Sequence, residues 1–549
     1  MTTKKKMGLS LFVAFLGAFA LMSSSTRAQL PDRTQNPNTA RAGINKSLTQ
    51  QIGAGRGDRI TPNSSAFIIA RDPFRAIRRG RQLFQRKFLR VQGQGPLAFD
   101  AVGDLEANFA IGAGMTDSCA ACHGRPRGSA GFGGDVATRP DSRDAPHLFG
   151  LGLKEMLADE ITADLRAIRN QAIADARAKH RSVTKPLTGK GINYGAITAH
   201  EDGSVDTSLV EGVDSDLRVR PFFAHGGTIS IREFVIGAFN DEMGLQAVDP
   251  DVAKAAAGER IVTPSGMVLD GATDQIKPTP ADNATADPDA DGVTNEIPSS
   301  LVDFMEFYLL NYFKPAIAEQ TSNAGTASIF FPRAGCDDQS ASAIQGRAVF
   351  QNMGCAVCHI PDLTINRDRR VADVDTVFDP ARGIFNRLFS TAVPLFAEAN
   401  DGSGLPSLKQ PKLEPFVVKS IFTDFKRHDL GPDFHEIIYD GKVRTEFLTM
   451  ALWGVGTTAP YGHDGRSVTL TEVILRHGGE AQASRNAFAV LSPGRRRDLL
   501  DFLGSLVIFP PDDTASNLDP GNRNTLGFPQ FGHGSIKLTV LFNDPTDVE

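Results

Sequence analysis

The clearest apolar periodicities along the chain are helical, and they predict a mainly α-helical protein. Ile77, Leu83 and Phe84 share one helical face near residue 75, where order is expected to begin. Residues 154–180 are rich in Ala, Glu, Asp and Arg and read as a long solvated helix. Residues 231–243 place Phe234, Val235, Ala238 and Phe239 on one face, which suits either core packing or the lining of a cofactor pocket. Residues 300–313 are apolar almost throughout and would close a first domain at Lys314-Pro315. Near the far end, Thr469 and Glu472 form a capping box for a helix that stops at Gly478. Ser492-Pro493 opens another, with Leu499, Leu500, Phe502, Leu503 and Leu506 on its buried side.

Between these elements the chain divides. Lys4, Lys5 and Lys6, an apolar run over 9–22, and Ser25-Thr26-Arg27-Ala28 form a secretory signal at 1–28, with cleavage expected after Ala28. The apolar run is too short for a retained anchor, so a periplasmic or secreted protein with no stable membrane anchor is expected. Residues 29–70 read as an irregular extension, 71–315 as an N-terminal domain and 316–335 as a linker. Residues 336–510 read as a C-terminal domain and 511–549 as a Pro-, Asn- and Gly-rich tail. An echo supports two related units. Gly80-Arg81-Gln82-Leu83-Phe84 precedes one cysteine motif and Gly346-Arg347-Ala348-Val349-Phe350 precedes the other.

Composition narrows the function classes. The 549 residues carry a net charge of −6 with mixed signs, which leaves no basic footprint for nucleic acid. There are five cysteines. Four of them sit in Cys119-Ala120-Ala121-Cys122-His123 and Cys355-Ala356-Val357-Cys358-His359, two copies of the attachment signature for c-type haem. Two thiols one helical turn apart add to the two vinyl groups of one porphyrin, and the adjacent histidine faces the iron. Disulfides or a zinc site would not require a histidine after the second cysteine in both copies. Cys336 is left over and reads as an inert thiol.

Two further patterns carry chemistry. Asp287, Asp289 and Asp291 alternate before Gly292, as in a calcium loop, but Pro298 stands where an EF-hand has its closing glutamate. The competing reading is an acidic turn ahead of a helix. His428, His435, His463 and His477 compete as a second ligand for the C-terminal haem. His147 and His225 are the candidates for a second ligand to the N-terminal one.

Over roughly residues 75–508 the chain resembles the bacterial di-haem cytochrome c peroxidase superfamily. Within it, the chain looks most like the di-haem oxidoreductase (thiol oxidoreductase) branch, which is related to the rubber oxygenases. Besides the two cysteine motifs, the marks are His428-Asp429-Leu430-Gly431-Pro432, Ala459-Pro460-Tyr461-Gly462-His463-Asp464-Gly465 and His477-Gly478-Gly479-Glu480. The resemblance implies two cytochrome c-like haem domains with long loops and few short strands. His477 stands where the peroxidases have a methionine ligand, which implies a bis-histidine iron with His359 and His477. His123 would then hold the reactive haem, with Phe223, Phe239 and Glu242 matching its open side. Three departures stand out. Ala224 replaces a relay tryptophan, Phe234 replaces a distal glutamine, and the spacing to Glu242 is shorter.

These observations predict an enzyme with two covalently bound haems and a calcium-loop pattern. The first reading is peroxide-dependent oxidation, with electrons exchanged with a partner protein. The second is dioxygen-dependent cleavage of an apolar substrate, implied by the rubber oxygenase likeness. The third is a di-haem electron carrier with no open iron.

Overall fold

The structure, a computed structural model, describes residues 30–31, 47–95, 116–124, 130–131, 136–137, 143–279, 283–312, 336–377, 389–438 and 441–506. The export signal, the 316–335 linker and the 511–549 tail expected from the sequence lie outside these residues.

More of the described chain is helix than strand, and no sheet closes into a barrel. The helices of the first half are α1 (Leu48–Ile52), α2 (Ser65–Arg71), α3 (Pro73–Gln85), α4 (Cys119–His123), α5 (Leu151–Lys179), α6 (Ile231–Gly237), α7 (Pro250–Ala256) and α8 (Ser299–Leu310). The second half adds α9 (Cys336–Asn352), α10 (Leu470–Arg476), α11 (Gln482–Ala489) and α12 (Pro493–Ser505). None is long and apolar enough to cross a membrane.

Three expectations are corrected. The strands are short but not few: among the described residues they form eight small sheets of two or three strands. Long connections must pair their backbone donors and acceptors somewhere, and antiparallel hairpins do so locally. Order also begins before residue 75. Ser47 and Gln50 form a capping box for α1, and Ser64 caps α2. Short polar side chains that looked like loop material in the sequence serve here as helix caps. Finally, α5 is not simply solvated. Its first half is buried, including Lys154 and Glu155, and Arg369 of the second half pairs with Glu155 at 2.6 Å. Charges on a buried face disguised it as a surface helix.

The echo in the sequence marks one packing device used twice. α3 crosses α8 at Gly80, where a Cβ would lie 2.2 Å from the Phe304 carbonyl oxygen. α9 crosses α12 at Gly346, where a Cβ would lie 1.9 Å from the Asp498 carbonyl oxygen. Only glycine lets these backbones approach so closely. Gly346→Ala is therefore expected to cost about 2–3 kcal/mol, measured as a lower urea midpoint; an unchanged midpoint would show that the helices separate freely.

Two apolar cores result. One gathers α2, α3, α6 and α8 with Phe88, Phe222 and Phe239. The other joins α5 and the hairpin Val183–Gly189/Ile192–Ala199 to Phe350, Phe422, Trp453 and α12. Backbone ties reinforce the union of the halves. The Asn311 side chain accepts from Val371 and Ala372 N–H, and the Tyr194 hydroxyl donates to the Asp424 carbonyl at 2.7 Å.

Candidate functional site

Each cysteine motif sits in a single tight turn. α4 is one turn of helix capped by Ser118, whose hydroxyl accepts from Ala121 N–H. The second motif enters through Gly354 in the left-handed region and forms a 3₁₀ turn over Cys355–Val357. No disulfide joins Cys119, Cys122, Cys355 and Cys358. Burial pushes Cys119 up to about 12 and Cys355 up to about 11, so both are protonated at neutral pH.

Three histidines share one posture. His123 Nδ1 lies 2.7 Å from the Pro146 carbonyl oxygen, His359 Nδ1 lies 3.0 Å from that of Phe422, and His477 Nδ1 lies 2.7 Å from that of Val473. A carbonyl only accepts, so each Nδ1 carries the hydrogen and each Nε2 keeps its lone pair. Burial pushes His123 down to about 4, against the pull of the Pro146 and Gly131 carbonyls. It likewise pushes His359 to about 4 and lowers His477. His477 is close enough to His359 to disfavour its protonation. These are the two imidazoles that the resemblance implies as a pair.

α10 aims His477. The capping box of Thr469 and Glu472 starts the helix, and Arg476 anchors its end on Asp464 at 2.7 Å and over the Phe434 ring. The other three candidate histidines are engaged elsewhere. His435 faces Asp429, and His463 lies on the Phe447 ring with Nε2 3.1 Å from Glu436. His428 is held between Asp424 at 2.9 Å and Glu480 at 2.7 Å. Burial opposes its charge, but Asp424, the Cys358 thiol and Glu480 outweigh burial and lift its pKa to about 11. Cys358, Asp424 and His428 have the spacing of a metal site. An imidazole with both nitrogens donating to carboxylates has no lone pair for a metal. Asp424 gave no sequence signal, because its role depends on a fold contact rather than a motif.

Around the first motif, the expected helix over 231–243 divides. α6 ends at Gly237 and a π-helical turn, Ala238–Glu242, follows. Such turns re-aim side chains and recur at functional sites. Phe239 is buried edge-on to Phe88. Phe223, in the left-handed region at φ 59°, stacks on His225 and packs against Phe234. Cys119 packs against the same core, and its sulfur lies 3.9 Å from that of Met243. The Glu242 carbonyl accepts from Thr116 N–H at 3.4 Å, which stitches the turn to the chain entering α4.

His147, a candidate ligand by sequence, is held through one ring nitrogen, and its Nδ1 is buried without a hydrogen-bond partner. Its Nε2 donates to the Trp453 carbonyl at 2.6 Å, and its ring stacks on Phe149. It follows Pro146, whose carbonyl holds His123. No motif foretold this link from the first cysteine motif's neighbourhood to the second core.

The acidic loop is also assembled. Carboxylate oxygens of Asp287, Asp289 and Asp291 lie within 4.8 Å of one another. Burial and these like charges push Asp289 up to about 6, and Glu296 beside them up to about 8.

Residues 369–506, about a quarter of the chain, match the family model described as "Di-haem oxidoreductase, putative peroxidase". The matched stretch contains His428, Asp464 and His477 and begins after both cysteine motifs. No curated protein matches the chain. The match supports a general oxidoreductase role of the peroxidase type. The residues present fit haem. Protonated thiols stand beside neutral imidazoles, each imidazole oriented by a backbone carbonyl as ligating histidines are.

Proposed function

We propose that the protein is an exported di-haem c-type oxidoreductase that uses an open N-terminal haem for peroxide-dependent oxidation and a bis-histidine C-terminal haem for electron transfer. The observation that carries this reading is the posture shared by His123, His359 and His477, each held at Nδ1 by a backbone carbonyl so that Nε2 keeps its lone pair. Beside Cys355 and Cys358, His359 and His477 form a pair. Beside Cys119 and Cys122 stands His123, while His147 donates from Nε2 to the Trp453 carbonyl and His225 stacks on Phe223. Once attached, haem supplies iron that passes single electrons and, where one axial position is open, activates peroxide or dioxygen.

The chain's own residues divide the remaining work. His123 and His359 would hold the iron through Nε2, each ring oriented by its carbonyl-bound Nδ1. Glu242, on the π-helical turn, would hold or move a proton beside the open face. Phe223 and Phe239 exclude water from it. His147 joins the Pro146 that orients His123 to Trp453, which lies in the core that also holds Phe350 and Phe422. The export pattern at residues 1–28 supports work outside the cytoplasm.

The dioxygen-dependent reading has its own support. Phe222, Phe223, Phe234 and Phe239 make the surroundings of the first motif strongly apolar, which favours an apolar substrate.

Electron paramagnetic resonance on the purified protein tests the proposal. One high-spin and one low-spin haem are expected, with the high-spin signal altered by peroxide and peroxide turnover cut by Glu242→Gln. A response to oxygen after reduction, with none to peroxide, selects the second reading. Two low-spin haems, unresponsive to either in every redox state, would leave an electron carrier and overturn the catalytic assignment.

A further inference from the structure

We propose that the loop from Asp287 to Glu296, closed by Gln246, is a binding site for a divalent cation of the calcium class. The three aspartates supply carboxylates within 4.8 Å of one another. The independent observation is Glu296. It is only 3 % exposed, its Oε1 has no hydrogen-bond partner, and the charges it meets are those of Asp289, Asp291 and Asp287. Both carboxylate oxygens of Asp289 are likewise buried and unpartnered, and so is Oε1 of Gln246, which is fully buried. Buried acceptors that lack donors are costly, and four in one place call for a positive charge.

The surroundings aim these atoms. Gln246 N–H donates to Glu296 Oε2 at 2.7 Å, which fixes the carboxylate while the charges of the three aspartates act on it. The Gln246 side-chain amide donates to the Ala286 carbonyl, which sets the amide oxygen beside the residue that opens the loop. All the donor atoms are oxygens, and most are anionic. That is the preference of hard cations, and a loop with flexible carboxylates suits calcium better than the strict octahedron of magnesium. The pattern departs from an EF-hand. The closing glutamate comes two residues earlier than the position held by Pro298, so the loop is shorter.

The place of the site gives the cation a task. Ile297 N–H donates to the Gln246 carbonyl, and Val248 N–H donates back to the Ile297 carbonyl. Gly95 N–H donates to the Gly244 carbonyl, and Gly93 packs directly on Glu296, where a Cβ would lie 2.2 Å from its Cδ. Met243, three residues before Gln246, touches Cys119. A cation would therefore brace the segment that walls the first cysteine motif. The site itself stands apart from the oxidoreductase reading, because its test needs no turnover.

The test uses the full-length holoprotein, first analysed for metal content and then stripped with a chelator. Calorimetric titration with calcium chloride is expected to show one equivalent bound per chain. Saturating calcium is expected to raise the thermal midpoint by roughly 3–8 °C, with magnesium giving much less. Asp289→Asn and Glu296→Gln are each expected to weaken calcium binding by about 10–100-fold while the haem spectrum stays intact. No uptake by the stripped wild-type protein would overturn the proposal, as would uptake that survives both substitutions or a preference for magnesium. If neither variant folds, the wild-type titration alone decides.

Discussion

Replacing His477 with methionine is expected to raise the midpoint potential of one haem by on the order of 100 mV and leave the other unmoved. His477 ends α10 with its Nδ1 on the Val473 carbonyl, so its Nε2 has a free lone pair and a fixed direction. Arg476, bound to Asp464, holds the helix end in place. A thioether is a softer donor than imidazole and favours reduced iron, which is the origin of the expected rise. His435→Gln provides the control, because His435 faces Asp429. A spectroelectrochemical titration reads both haems at once. Unchanged potentials in the His477 variant would remove it from the iron and reopen the choice among the four histidines.

Arg232→Met is expected to destabilise the protein by about 3–5 kcal/mol, the largest stability effect available to a single exchange here. Arg232 is fully buried. It donates to both oxygens of Asp249, to Asp303 at 2.9 Å and to Glu306 at 2.7 Å. Glu306 in turn accepts from Thr263 and Ser265, and Asp303 from Ser65. Methionine fills much the same volume but leaves three buried carboxylates with no cation between them. Arg56, which is part-exposed and also meets Asp303, compensates only from one side. Guanidinium denaturation checks the loss. A variant as stable as the parent would mean that the carboxylates take up protons at little cost.

What the sequence could reveal follows from the range of the forces involved. The cysteine motifs, the Thr469 and Ser492 caps and the glycine echo are local, and local chemistry leaves local marks. The strand pairs of the second half left no clear mark because they join short, irregular segments with little alternation, some far apart in the chain, such as Leu363–Ile365 with Phe416–Val418. The buried half of α5 was hidden by Lys154 and Glu155, whose burial makes sense only once Arg369 arrives from the other half. The divided helix at 231–243 keeps helical spacing up to Gly237, and nothing in its residue types announces the π-helical turn. In the acidic loop, the EF-hand pattern directed attention to Pro298 and away from Glu296. Gln246 lies some fifty residues upstream and could not be seen at all.

The crossings at Gly80 and Gly346 have a historical meaning. Two independent origins would have no reason to place a glycine the same distance before a phenylalanine, in the same element, against the same partner at the end of each unit. Descent of both units from one shorter ancestor, doubled by tandem fusion, accounts for the match. A doubled chain begins with redundancy, since either copy can preserve the original trade while the other drifts. The helix crossing survived because a methyl group there would collide with backbone, and no later specialisation could relax that constraint.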